Sequence, residues 1–154
     1  MASLSDAQWK KLQEFWVKNV EPNLTKHGHE VLVRMFVNHK STLEYFPKFR
    51  HLTTEAEMRS NEDIRKHGNT VFTALGKLVK LKGNVEGDLR SMADSHANKH
   101  KIHLENFDII SKVIDNYFHE SFPGDYGADV QDYMKATLAL IVQTLTKLYK
   151  ELGK

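Results

Sequence analysis

Apolar residues along this chain recur at intervals of three and four almost throughout, the spacing of amphipathic helices rather than of strands. Trp9, Leu12, Trp16 and Val20 mark a first helix, opened by Ser5-x-x-Gln8 at capping-box spacing. Pro22 suits the start of a second, whose stripe is Leu24, Val31, Leu32, Met35 and Phe36. Ser41-x-x-Glu44 predicts a short turn of helix that stops before "FPKF", where Phe46 precedes a proline. Thr54-x-x-Glu57 and Ser60-x-x-Asp63 predict two further starts. The longer of the two helices carries Ile64, Gly68, Val71, Phe72, Leu75 and Val79 on one face. It ends at "KLKGNVEG", a glycine- and asparagine-rich turn. Leu89, Met92, Ala93 and His96 follow at helical spacing, then Phe107, Ile110, Ile114 and Phe118, broken at "FPGDYGAD". Val130, Met134, Ile141, Leu145 and Leu148 form the last stripe.

The pattern predicts an all-α protein of seven or eight helical pieces. Two features do not suit a plain bundle: some pieces are very short, and the "YFPKF" loop carries aromatics where polar residues are expected. Such a chain wraps around something or packs its helices at steep angles. No repeat, low-complexity tract or linker interrupts it, so its 154 residues read as one domain, 1–154.

Composition narrows the chemistry. There is no cysteine, which removes disulfides, thiolate zinc sites and cysteine nucleophiles together. Lys and Arg number 22 against 20 Asp and Glu, so the charge gives no case for nucleic acid or an anionic membrane. No apolar run approaches the length of a bilayer span. The N-terminal "MASLSDAQWKKLQEF" has no signal-peptide pattern. The expectation is a soluble, cytoplasmic protein.

The nine histidines carry the remaining signal. His27, His29, His39, His51 and His119 have charged or polar neighbours and read as surface or boundary residues. His67 lies between Ile64 and Val71 on an apolar stripe, and His96 lies beside Met92 and Ala93 on the next. A lone histidine on an apolar face is more often a core residue satisfied by a carbonyl than a ligand. Two on consecutive helices change that balance. On one continuous helix, 29 residues would hold them ~43 Å apart; the turn at Gly83–Gly87 folds the chain back instead. Two imidazoles without thiolate or carboxylate make a poor zinc site. His96-x-x-x-His100 has no third ligand in register, and there is no Gly-rich dinucleotide turn. A large apolar cofactor held by one axial histidine fits better, and haem needs that ligand, an apolar slot and aromatic walls.

The stretches "HGHEVLVRMFVNHKSTLEYFPKFRHL", "TEAEM", "EDIRKHGNTVFTALG", "SHANKHKI", "FPGDYGAD" and "YKELG" together resemble the globin family. "TEAEM" and the tail past Tyr149 resemble its monomeric, oxygen-storing branch rather than a subunit of a tetrameric carrier. The resemblance implies a globin fold around haem b. It implies His96 as the proximal iron ligand, steadied by Ser95 and the Met92 carbonyl, and His67 as the distal donor to dioxygen. Phe46 and Phe49 match the haem-packing aromatics, with Ile102 and Phe107 as further cofactor contacts. Leu32, Val71 and Ile110 match the lining of the gas cavity, and Lys48 and His100 the positions that meet the propionates. Lys40 stands where a proline is common, and Met92 and Phe107 where leucines are common.

By spacing alone, Leu89 to Ile110 forms one unbroken helical ridge bearing His96, His100 and His103. The resemblance instead implies a helix end near Lys99 and a new start near Leu104. His96 is then a ligand, His100 a helper at the pocket edge, and His103 a bystander. The function implied is reversible dioxygen binding by a cytoplasmic monomer (sarcoplasmic in muscle), with carbon monoxide, nitric oxide and nitrite as further ligands and a reductase as a partner for the ferric form. Two other readings stand beside it. One is haem enzymology on the same site, as nitrite reductase, nitric oxide dioxygenase or pseudoperoxidase. The other is a cofactor-free helical module with core histidines.

Overall fold

The Ser5 box closes as its spacing predicts. The Ser5 hydroxyl accepts from the Gln8 amide at 3.2 Å, and the Gln8 side chain accepts from the Ser5 amide at 2.8 Å. From there a computed structural model describes residues 4–46, 48–49, 51–94 and 104–153. Helix α1 (Asp6–Phe15) runs into a π-turn at Trp16–Val20 and a 3₁₀ turn at Glu21–Asn23, and α2 (Leu24–Asn38) follows. Pro22 accounts for the change of pitch, because it has no N–H for the Lys18 carbonyl. A 3₁₀ segment, Lys40–Tyr45, precedes α3 (Glu55–Ser60), α4 (Glu62–Lys80) and α5 (Glu86–Asp94). Helices α6 (Glu105–Ser121) and α7 (Ala128–Glu151) complete the seven α-helices of the described residues, which include no strand.

Several boundaries sit where the sequence places them. Thr54 and Glu57 form the second capping box. Lys82 (φ 53°) and Gly83 (φ 90°) both take left-handed conformations, and that pair of residues reverses the chain between α4 and α5. The Tyr126 hydroxyl donates to Asp115 at 2.7 Å, and Gln131 donates to the same carboxylate, so the "FPGDYGAD" corner is pinned to α6.

Three expectations need correction. Asn61, not Ser60, caps α4, accepting from the Ile64 amide at 2.9 Å, while the Ser60 hydroxyl donates back to the Ala56 carbonyl within α3. Ser41-x-x-Glu44 is not a cap, because the turn begins at Lys40 with no side-chain cap and Thr42 donates to the His39 carbonyl. The unbroken ridge to Ile110 fails too: α6 starts at Glu105 behind Leu104. Of the histidine ridge itself, His96, His100 and His103 lie outside the described residues.

The core is built on one close crossing. A Cβ on Gly28 of α2 would stand 2.1 Å from the Gly68 carbonyl oxygen of α4, and one on Gly68 would stand 2.4 Å from the Gly28 carbonyl carbon. The two backbones therefore touch. Trp16 covers Gly76 of α4 in the same manner, with Phe72 and Phe118 against its ring. Phe15, Phe118, Phe122 and Tyr126 extend this cluster by edge and tilted contacts. No helix of the described residues is long and apolar enough to cross a membrane.

His27 and His29 are not surface residues. They are 8% and 9% exposed, whereas His39, His51 and His119 are exposed as expected. Their charged neighbours in sequence lie on other faces of α2, while Val31 stands four residues after His27 and Leu32 three after His29. Nδ1 of His27 lies 2.6 Å from the Tyr117 hydroxyl, and its ring packs edge-on against Phe122. Burial pushes the Tyr117 phenol up, so it stays protonated and donates to a neutral imidazole.

Two measurements check this packing. Gly68→Ala should lower unfolding free energy by about 3 kcal/mol in guanidinium titrations, because backbone on both sides cannot yield; Gly124→Ala, which meets nothing within 4 Å, should be near neutral. Burial holds His27 below its ordinary 6.5, with Lys26 adding to the effect and a hydrogen bond to the Asn19 carbonyl opposing it. Above that value the imidazole is neutral in both states. As pH falls below 6.5 the unfolded chain takes up a proton that the folded chain refuses, so stability declines until folded His27 itself titrates. His27→Phe should flatten that part of the stability–pH curve, and an unchanged slope would refute the assignment.

Candidate functional site

Helix α4 is buried one-sidedly. Ile64, Gly68, Phe72, Leu75 and Val79 are buried, mainly against α2, while His67 and Val71, one turn apart, are half-buried. His67 thus stands beside the closest backbone contact of the core but turned partly out of it.

The wall facing His67 comes from the loop after the 3₁₀ segment. The Phe46 amide donates to the Leu43 carbonyl, Phe49 to Phe46, and Leu52 to Phe49, at 2.8–3.0 Å. Each step is three residues, so both phenylalanines fall on the same side. Their rings stack at 6.0 Å, and Phe36 of α2 meets them at 5.3 and 5.9 Å. Against these rings lies the His67 imidazole, 5.4 Å from Phe46 at 72° and 6.3 Å from Phe49 at 64°. Edge-to-face contact of this kind holds a ring in orientation as well as position. The aromatics in the loop, anomalous for a turn, are explained by this wall.

The other predicted residues fall as follows. Leu32 is buried one turn before Phe36 on α2, and Lys48 is exposed in the turn between the two phenylalanines. Phe107 and Ile110 are half-buried on α6, Phe107 edge-on to Tyr149 of α7 at 6.2 Å. Leu89 and Ala93 are buried on α5, with Met92 half-buried beside them, and the described part of that helix ends at Asp94. Ser95, His96, His100 and Ile102 lie outside the described residues. The structure therefore brings together His67, Phe46, Phe49 and Phe36, with Leu32 buried one turn along α2 from Phe36.

That grouping suits haem better than a bare ion. Among the described residues no group of three or more His, Cys, Asp or Glu side chains is placed to hold a metal. The Phe46 and Phe49 rings stand against His67, and Phe46, Val71, Met92, Phe107 and Ile110 are among the apolar side chains left half-buried at the margin of the core. A planar apolar group is the kind of ligand such side chains cover.

His27 and His29 are the residues that the sequence reading missed. The criterion that singled out His67 and His96, an apolar residue three or four positions away, holds equally at His27 and Val31 and at His29 and Leu32. Neither forms part of the wall at His67. His27 faces Tyr117, and Nε2 of His29 lies 3.1 Å from the Met58 carbonyl oxygen of α3.

Among the described residues the fold is all-α, seven helices and no strand, with α2 and α4 crossing in backbone contact and a half-buried histidine beside two loop phenylalanines. The Globin family model matches residues 29–145, well over half of the chain, and the chain belongs to the globin family. The match runs from within α2 to within α7 and includes every candidate site residue. Globins typically bind haem, and membership points to a function in binding small gases, related to oxygen.

Phe49, 4% exposed, is the point at which the wall is most easily tested. Phe49→Ala should cost about 3 kcal/mol in unfolding free energy and should move the His67 ring-proton resonances as the neighbouring ring current is lost. Unmoved resonances would place Phe49 away from the imidazole.

Proposed function

We propose that this chain is a monomeric haem b protein of the vertebrate myoglobin type, a single domain over 1–154 that binds dioxygen reversibly. Its role on this reading is oxygen storage and facilitated diffusion in the cytoplasm, or in the sarcoplasm if the tissue is muscle. One observation carries the reading: His67 is held half-buried and edge-on to Phe46 and Phe49, on the helix locked to α2 at Gly68.

Haem supplies an iron centre able to take up a diatomic gas and release it unchanged. The chain supplies the rest. His96 would hold the iron through Nε2, its other nitrogen oriented by Ser95 and the Met92 carbonyl, which fixes the plane of the ring. Phe46, Phe49, Ile102 and Phe107 would pack the porphyrin, with Lys48 and His100 meeting its propionates. Leu32, Val71 and Ile110 would line the space for gas and keep water and protons out. His67 would donate a hydrogen bond to dioxygen, whose partial negative charge when held makes it a better acceptor than carbon monoxide.

The absorbance spectrum of the reduced protein, with and without carbon monoxide, tests the reading. A Soret band that shifts on adding the gas is expected; colourless protein yielding no extractable haem would overturn it. His96→Ala should abolish the iron–imidazole bond while the fold persists. His67→Leu should weaken dioxygen binding roughly ten- to a hundredfold, the worth of a charge-assisted hydrogen bond, and change carbon monoxide binding far less. Equal effects on the two gases would remove His67 from the donor role.

A further inference from the structure

Helix α3 has six residues, too few to hold its place by its own hydrogen bonds. Yet it closes the segment that carries Phe46, Lys48 and Phe49. Backbone hydrogen bonds link Phe49 to Phe46 and Leu52 to Phe49, and the Thr54–Glu57 box begins α3 two residues later. Where α3 rests on α2 therefore influences where the two phenylalanines rest on His67.

Three contacts fix α3. Met58 is buried in the core. The Met58 carbonyl accepts from Nε2–H of the buried His29, the only polarity this pair allows. Arg59 lays its guanidinium fork on Glu30, at 2.5 and 3.3 Å, while its Nε donates to Glu55 at 2.7 Å. Glu30 is held from its other side by Arg34 at 3.2 Å, and Arg34 reaches Glu120 of α6 at 2.5 Å. Five charges thus run Glu55, Arg59, Glu30, Arg34, Glu120 from α3 across α2 to α6.

The network is covered at its centre and exposed at its ends: the Glu30 and Arg34 side chains are 24% and 29% exposed, against 44% for Arg59, 52% for Glu55 and 61% for Glu120. Isolated exposed pairs contribute little, whereas partly covered, forked networks contribute more. The Arg59 hydrogen bonds hold the Glu30 carboxyl below the usual carboxylate range against the opposing pull of its own burial.

We propose that Glu30 and Arg59 are positioning residues, a clasp that seats the Phe46–Phe49 turn against His67 and so sets how firmly haem is retained. The clasp rests on the haem reading above for its consequence, but not for its existence. Arg59 acts through the α3 segment.

Haem loss from the full-length holoprotein to an excess of a high-affinity apoglobin acceptor tests it. Glu30→Gln and Arg59→Gln should each speed loss about three- to tenfold at low salt. The double variant should be no faster than the worse single one, because both remove the same contact. Arg59→Lys, which keeps the charge but not the fork, should fall between. Amide hydrogen exchange on the haem-free chain supplies an independent reading, with protection lost at residues 51–60 and kept in α6 and α7. Wild-type loss rates in the single variants, additive effects in the double, or exchange spreading through α6 would each overturn the clasp. A chain that takes up no haemin would overturn the haem reading alone, and the exchange pattern would still decide whether the clasp holds α3.

Discussion

The backbone contact between Gly28 and Gly68 is the constraint on which the remaining geometry depends. Helices that meet through side chains keep their axes roughly 8–10 Å apart, whereas these two touch through peptide groups. The contact fixes α4 on α2 in translation and in rotation, since no side chain stands between them to flex. His67 is the residue immediately before Gly68, and Phe36 lies two turns beyond Gly28. Once the glycines meet, the imidazole and the base of the aromatic wall have a settled separation.

What surrounds the crossing is arranged to preserve it. The residues flanking Gly28 are His27 and His29, one turned to Tyr117 of α6 and the other to the Met58 carbonyl of α3. Three consecutive residues of α2 therefore anchor three different helices. Burying two imidazoles is costly unless each finds a partner, and here the partners double as the fastenings between helices. Trp16 over Gly76 repeats the arrangement further along α4, where a large ring rather than a second backbone fills the space a side chain would need. The result is a helix held rigidly along one face while its neighbouring face, with His67 and Val71, is left half-open.

Much of this was legible in the sequence, for physical reasons that can be named. Capping boxes at Ser5 and Thr54 are local, two-residue devices, and both formed. Stripe residues such as Val130, Met134, Leu145 and Leu148 follow from helical periodicity and are all buried. At Ser60 and Asn61 two good capping residues stand side by side, and spacing alone could not say which would be used. The Gly28–Gly68 contact was invisible because glycine leaves no mark in a hydrophobic pattern, and nothing local announces that two distant glycines meet. By spacing Phe46 and Phe49 were an anomaly, aromatics where a loop should be polar, and only the family resemblance gave them a place against a cofactor; the three-residue turns put them on one side, against His67.

The histidines show most clearly where periodicity stops being informative. Spacing assigned His67 to an interior face, and polar neighbours assigned His27 and His29 to the surface or its boundary, yet all three lie on helices with apolar residues three or four positions away. Burial alone does not separate them either, since His27 and His29 are the more buried. The difference lies in what each ring meets. A histidine turned to a phenol or a peptide carbonyl has its hydrogen-bonding capacity committed to the fold, and its chemistry is spent in holding helices together. His67 is walled instead by two phenylalanine rings, a contact that fixes where the imidazole stands and how it is turned. The Phe46–Phe49 turn therefore orients the imidazole from outside the helix that carries it, and on the proposed reading that orientation is what a donor to a bound gas requires.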